Sequence, residues 1–318
     1  MKKIFCLIAC LAIFSGCDDG DMTFKSFDFS GEDAQSCNGS DNSNIYFKIN
    51  GEEALLLTLT NDALRNEETI NGEPREVTVG SGGNTITYRD YEGEVTNNML
   101  CANPAPAYPG IQEEWLGDGT ILIETAAIRV DGRITGYSHE ITIQSATFSK
   151  GDESVTINNN LFGTIIREFD FTFDFIGEGE EEPEVSACTG KNLIFTLQGE
   201  EALVFEFQEG LFDSGIDTID LEGFDTVNEI YFLKYDGSIS NNHICDNIEP
   251  ATPERTARWE ATSGIVTIVT TPDGPGLSHK IYIKDLVLEF DGETIEVNDI
   301  AEIEDEEQGY YFGNYTTE

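Results

Sequence analysis

Basic side chains are scarce in this chain, which has 17 Lys and Arg against 61 Asp and Glu and a formal net charge of −44. A charge of this sign and size repels phosphate backbones and anionic lipid headgroups, so the composition argues against nucleic acid as a partner. The acidity does not indicate disorder, because 39% of the residues are hydrophobic and they occur in patterned segments. We therefore expect a folded, soluble, self-repelling protein.

Motifs for catalysis and metal binding are also missing from the sequence. It has no Cys-x-x-Cys pair for zinc and no alternating Asp loop for calcium. Ser138-His139 returns as Ser278-His279, but neighbouring residues of a strand point to opposite faces, so neither pair can act as nucleophile and base. We expect no enzyme and no cofactor. A weak calcium site assembled from separate loops stays open.

The N-terminus carries an uncharged apolar run at residues 4–14, preceded by Lys2 and Lys3. The run is too short for a membrane-spanning helix, which needs roughly 20 apolar residues, and is typical of a signal peptide. The stretch Phe14-Ser15-Gly16-Cys17 resembles a bacterial lipobox, and Asp18-Asp19-Gly20-Asp21 resembles the export signal of Bacteroidetes-type surface lipoproteins.

This resemblance covers only the N-terminal residues and says nothing about activity. It implies that residues 1–16 are removed as a signal peptide and that Cys17 carries the lipids. The membrane would then be a partner through the lipid anchor, with the protein exposed at the surface of the outer membrane. In enterobacterial lipoproteins an Asp after the Cys would instead suggest retention at the inner membrane. Without the leader the chain has 15 basic and 61 acidic side chains, a formal charge of −46.

An internal repeat divides the rest of the chain into two copies of one domain. Residues 91–101 return without a gap as residues 235–245, and Trp115 returns as Trp259. We predict an acidic tether at 17–23, a first β-domain at 24–176, an acidic linker at 177–187 and a second β-domain at 188–318. The segment 169–175 resembles 27–29, so it either closes the first domain or opens the second.

Seven cysteines are present, and four remain after the leader cysteines Cys6 and Cys10 and the lipidated Cys17. Four cysteines allow three connectivities. The repeat selects the two pairs that each lie inside one copy, namely Cys37–Cys101 and Cys188–Cys245. Disulfides fit an exported protein.

Alternation of apolar and polar residues dominates both copies, as in residues 45–49 and 193–197, and Asp-Gly pairs separate such runs. The pattern predicts an all-β chain of two tandem homologous antiparallel β-sandwich domains, built from short strands. The alternative is a pair of lipocalin-like β-barrels. No amphipathic helix longer than two turns is expected.

Two sets of residues are candidates for binding. The Asn pairs ahead of each second cysteine are turn residues by default and ligand contacts otherwise. The two tryptophans either pack in the core or form exposed platforms for sugar. The candidate residues are Asn97, Asn98, Asn241, Asn242, Trp115 and Trp259.

The function predicted from these features is that of a lipid-anchored cell-envelope protein that binds a glycan or another envelope protein. The duplication would supply two similar sites and so avidity. The alternative is a secreted hydrolase whose carboxylates the sequence does not identify. With 61 acids, a pair at the separation needed for glycoside hydrolysis can always be found.

Overall fold

The computed structural model describes residues 27–37, 44–212, 218–221, 227–303 and 307–317. The signal peptide, Cys17 and the acidic tether lie outside these residues. The first domain consists of β1 (Gln35–Ser36), β2 (Ile45–Asn50), β3 (Glu53–Thr58), a 3-10 turn (Ile70–Gly72), β4 (Arg75–Val79), β5 (Thr85–Tyr91), α1 (Asn97–Cys101), β6 (Ile111–Val130), β7 (Arg133–Lys150) and β8 (Glu153–Glu168).

The second domain repeats this order with one change near its end. It consists of β9 (Ser186–Ala187), β10 (Leu193–Gln198), β11 (Glu201–Glu206), β12 (Thr218–Asp220), β13 (Glu229–Tyr235), α2 (Asn241–Cys245), β14 (Arg255–Asp273), β15 (Gly276–Phe290), β16 (Glu293–Glu296), α3 (Val297–Ile300) and β17 (Tyr310–Thr317). The single strand β8 of the first copy thus corresponds to β16 and β17, with α3 inserted between them. The all-β prediction is confirmed. In the part of the chain described, no helix combines the length and apolarity needed to cross a membrane.

Each domain is built on one antiparallel sheet. The order in the first is β1-β2-β3-β5-β6-β7-β8, with β4 also paired to β6; in the second it is β9-β10-β11-β13-β14-β15-β16, with β12 on β14 and β17 on β15. Among the described residues no ladder joins β1 to β8, so the sheet stays open. Side chains from β2, β3 and β5 share one core with those from β4, β6, β7 and β8, as the two layers of a sandwich do.

The central strands are longer than the sequence pattern predicted. β6 has 20 residues and β14 has 19. Within β6 the triplet Gly117-Asp118-Gly119 has the composition of a turn, but the strand continues through it. A Cβ at Gly119 would clash with the carbonyl oxygen of Ser145 on β7, so this glycine allows a close approach of two backbones.

A disulfide and a short helix cover the outer face of each sheet. Cys37–Cys101 and Cys188–Cys245 have S–S distances of 2.02 and 1.99 Å and close loops of 64 and 57 positions. In the first domain this cover, with Val95, buries Phe47, Ala54 and Leu56. Strand β3 is therefore buried on both faces, which explains its continuous apolar run from Ala54 to Leu57.

The phenylalanine segment before the predicted linker packs in the second domain. Phe171 makes edge contacts with Phe232 and Trp259, at centroid distances of 5.2 and 6.0 Å. Phe27 contacts the equivalent residues of the first domain, stacking on Tyr88 at 3.9 Å and making an edge contact with Trp115 at 5.7 Å. Phe173 and Phe175 also belong to the second core. Three phenylalanines that the predicted boundary assigns to the first domain therefore open the second, and β9 begins inside the predicted linker.

The two domains contact each other directly instead of being separated by an extended hinge. The β6–β7 hairpin of the first domain is longer than its counterpart β14–β15. Beyond the paired residues Thr125 and His139 it comprises residues 126–138. Beyond the equivalent pair, Thr270 and His279, the second domain has only residues 271–278. The longer hairpin carries Ile134 and Tyr137 into the core of the second domain, next to α3. The longer β6–β7 hairpin of the first domain and the inserted helix α3 of the second domain thus meet at the junction between the domains.

Candidate functional site

Both tryptophans are core residues. Trp115 is 2% exposed and Trp259 is 5% exposed, each packed against the phenylalanine that opens its domain. The indole nitrogen of Trp115 donates a hydrogen bond to Glu113 over 3.2 Å. A sugar-stacking role for either ring is wrong, because a ring buried on both faces presents no surface to a ligand.

The four asparagines occupy the first two positions of α1 and α2. All four are exposed, and the side-chain amide of Asn97 donates to the side-chain oxygen of Gln35. Each pair starts a helix of one turn that ends at a disulfide cysteine. The arrangement accounts for these residues as helix-start and turn residues beside the disulfide.

The two strand histidines are buried and hydrogen-bonded, as strand geometry predicts. Nδ1 of His139 lies 2.9 Å from the hydroxyl of Thr125, and burial, reinforced by the charges of Arg167 and Arg75, lowers the pKa of His139 to about 4. Ser138 points the other way and donates to the carbonyl of Ala126. Neither Ser-His pair can therefore act as a catalytic dyad.

The equivalent His279 has a second partner that His139 lacks. Its Nδ1 lies 2.9 Å from Thr270 Oγ1 and its Nε2 lies 3.0 Å from Thr317 Oγ1. Strand register places Arg167 where the second copy has Thr317, because His139 pairs with Ile165 and His279 pairs with Tyr315. The two copies therefore differ at this strand end, and the difference builds a site at the domain junction.

Arg167 reaches across the junction. Its guanidinium donates to Glu293 Oε1 over 3.1 Å and to the Tyr46 hydroxyl over 3.3 Å. The side-chain amide of Asn66 donates to the other oxygen of Glu293 over 3.3 Å. Burial raises the pKa of Glu293 and Asp291 adds to the rise, while the Arg167 charge acts in the opposite direction. One carboxylate of the second domain is thus held by two residues of the first.

A cleft of about 550 Å³ opens beside this ion pair, and we name it the junction cleft. It is lined by Asn66, Ile166, Arg167, Glu168, Phe169 and Glu293. Ile166 is 61% exposed, and the half-buried ring of Phe169 stacks on Phe171 at 4.8 Å. The cleft is lined mainly by polar side chains, which supply hydrogen-bond donors and acceptors, and Ile166 and Phe169 form an apolar wall.

Sequence reasoning missed this cleft, although one signal was present. The offset between the copies changes from 140 at His139 and His279 to 150 at Phe162 and Phe312, which marks the insertion that contains α3. Insertions in one copy of a repeat are where a new function is expected, because they leave the shared core intact.

Metal binding finds no support in the side-chain arrangement. Within the described ranges, no group of three or more His, Cys, Asp or Glu side chains is placed to hold a metal ion. No protein-family model, no curated protein and no solved structure matches the chain.

Proposed function

We propose that this protein is a lipid-anchored binding module of the cell envelope that holds a glycan in the junction cleft. The N-terminal lipobox resemblance supports the anchor at Cys17 and an outer-membrane, surface-exposed location. The two intradomain disulfides support an exported, oxidising environment.

The side chains and the volume of the junction cleft support a glycan ligand. The Arg167 guanidinium, the Glu293 carboxylate and the Asn66 amide offer donors and acceptors for sugar hydroxyls. Ile166 and Phe169 offer an apolar wall for the C–H face of a pyranose ring. The volume of about 550 Å³ lies in the usual range of small-ligand sites, roughly 300–1,000 Å³.

The charges at the cleft favour an uncharged glycan. Glu168 and Glu293 add two carboxylates to one guanidinium, and the chain as a whole has a formal charge of −44. An anionic polysaccharide would be repelled both locally and at long range. A neutral glycan meets neither penalty and can use the carboxylates as hydrogen-bond acceptors.

The proposal implies a different number of sites from the one the repeat suggests. The sequence repeat predicted two similar sites, one in each domain. The junction cleft is lined by residues of both domains, so a glycan held there would have one shared site in each chain.

Thermal melts of residues 18–318 with a panel of neutral polysaccharides test the proposal. A ligand at 100 times its dissociation constant adds about 2.7 kcal/mol to the stability. Ile166→Ser should abolish the shift, whereas Leu116→Ser, at a residue that is also 61% exposed but lies on β6, should keep it.

Two outcomes would overturn the proposal. A saturable shift that persists in both Ile166→Ser and Glu168→Gln would place the glycan elsewhere. Failure of every glycan to shift the melt would reject a glycan ligand. The search would then turn to an envelope protein, sought by crosslinking in intact cells.

A further inference from the structure

Lys48 is a buried lysine in the middle of β2. It is 4% exposed, and within the described residues its ammonium has no hydrogen bond and no ion pair. Lys234, the other buried lysine of the described residues, is 6% exposed and has Glu200 and Glu201 at 3.4 and 3.7 Å. A lysine in a buried strand normally has such partners. In the part of the chain that the structure describes, the Lys48 ammonium is unpaired and is not fully enclosed by the protein, so it is free to contact a ligand.

The side chain of Lys48 lines an open pocket, which we name the Lys48 pocket. The pocket has a volume of about 540 Å³ and lies between β2, β8 and the segment 30–34. Burial lowers the pKa of Lys48, and the nearby carboxylates of Asp33 and Glu32 raise it in part. Both carboxylates line the same pocket, so one ammonium and two carboxylates face a shared space without pairing. Asn160 and Thr164 add neutral polar groups to its wall.

The second domain has no lysine at the equivalent place. Because Gly51-Glu52-Glu53 returns as Gly199-Glu200-Glu201, Lys48 corresponds to Thr196, which is fully buried. The opening segment packs against a strand glycine in both domains, with Ala34 at Gly163 and with Val185 and Pro183 at Gly313. The lysine is therefore specific to the first domain, and the shared fold does not need it.

We propose that the Lys48 pocket binds a small zwitterion, an α-amino acid or a dipeptide, with its carboxylate on Lys48 Nζ and its ammonium on Asp33 and Glu32. A simple anion would be repelled by the two carboxylates and by the charge of the chain. A simple cation would meet the buried ammonium. A zwitterion satisfies both charges and brings no net charge. This site is separate from the junction cleft and does not depend on glycan binding there.

Calorimetric titration of residues 18–318 with glycine, alanine, glutamine and alanyl-alanine tests the inference. Propionate and ethylamine serve as the two halves of the zwitterion. We expect saturable binding of at least one zwitterion. Propionate and ethylamine should each bind at least roughly tenfold more weakly than that zwitterion, because each lacks one of the two charge-assisted contacts. Lys48→Met and Asp33→Asn should each weaken binding by roughly tenfold or more. Lys280→Met removes the same charge from an exposed position and should not affect binding.

Several results would overturn the inference. Propionate binding as tightly as the zwitterions would make the pocket a plain anion site. Asp33 is exposed, so Asp33→Asn should not disturb the fold. Unchanged binding in this variant would rule out the proposed contact between Asp33 and the ligand ammonium. Absence of binding by every zwitterion at millimolar concentration would reject the site.

Discussion

Acid should destabilise the first domain through His139. The folded pKa of His139 is about 4, and the unfolded value is about 6.5. Between these values the unfolded chain binds a proton that the folded chain does not, so stability is greatest above pH 6.5 and falls as the pH drops toward 4. From pH 6.5 to pH 5 the loss is about 2 kcal/mol, since each pH unit corresponds to about 1.4 kcal/mol.

Urea unfolding at pH 7.5 and pH 5 measures this loss when the parent is compared with His139→Gln. The variant keeps a polar group opposite Thr125 but has no proton to gain in this range. Titration of the many carboxylates affects both proteins alike and cancels in the difference. We expect the parent to lose about 2 kcal/mol more than the variant. The same pH dependence in both proteins would show that His139 is not held neutral by burial.

Three further predictions concern stability and are checked by urea unfolding at pH 7.5. Lys234→Met should cost about 2 kcal/mol, because it leaves the buried Glu201 carboxylate without a cation and with only the donors of Thr172 and Phe173; an unchanged midpoint would contradict the ion pair. Lys48→Met should leave the free energy of unfolding unchanged or raise it, since the ammonium has no partner to lose. A decrease in the free energy of unfolding of more than about 1 kcal/mol would refute this. Replacing Cys188 and Cys245 by Ser should cost about 4 kcal/mol from loop closure over 57 positions, and a loss well below 1 kcal/mol would count against that origin.

Much of the fold could be predicted because the repeat and the period-two pattern act locally. The strand that begins at Ile45 and its counterpart at Leu193 were predicted within a residue or two of their observed bounds. The length of β6 was not predicted, because Gly117-Asp118-Gly119 has turn composition and only the approach of β7 shows why glycine is needed. A pattern of residue types does not record such a tertiary contact.

The candidate sites were harder to predict than the fold. The prediction weighed Trp115 as core or platform, and only packing against Phe27 decides between them. Arg167 and Glu293 are far apart in sequence and meet only because the domains dock. Lys48 sits within a regular strand pattern, and its lack of a partner becomes visible only when the surrounding segments are in place.

The binding stoichiometry tests the central claim, a single glycan site shared by the two domains, most directly. Residues 18–318 would be titrated by calorimetry with an oligosaccharide of the glycan that shifts the melt. We expect one bound oligosaccharide per chain and loss of binding in Ile166→Ser. Two bound oligosaccharides per chain, with binding retained in Ile166→Ser, would contradict the shared cleft and restore one site per domain.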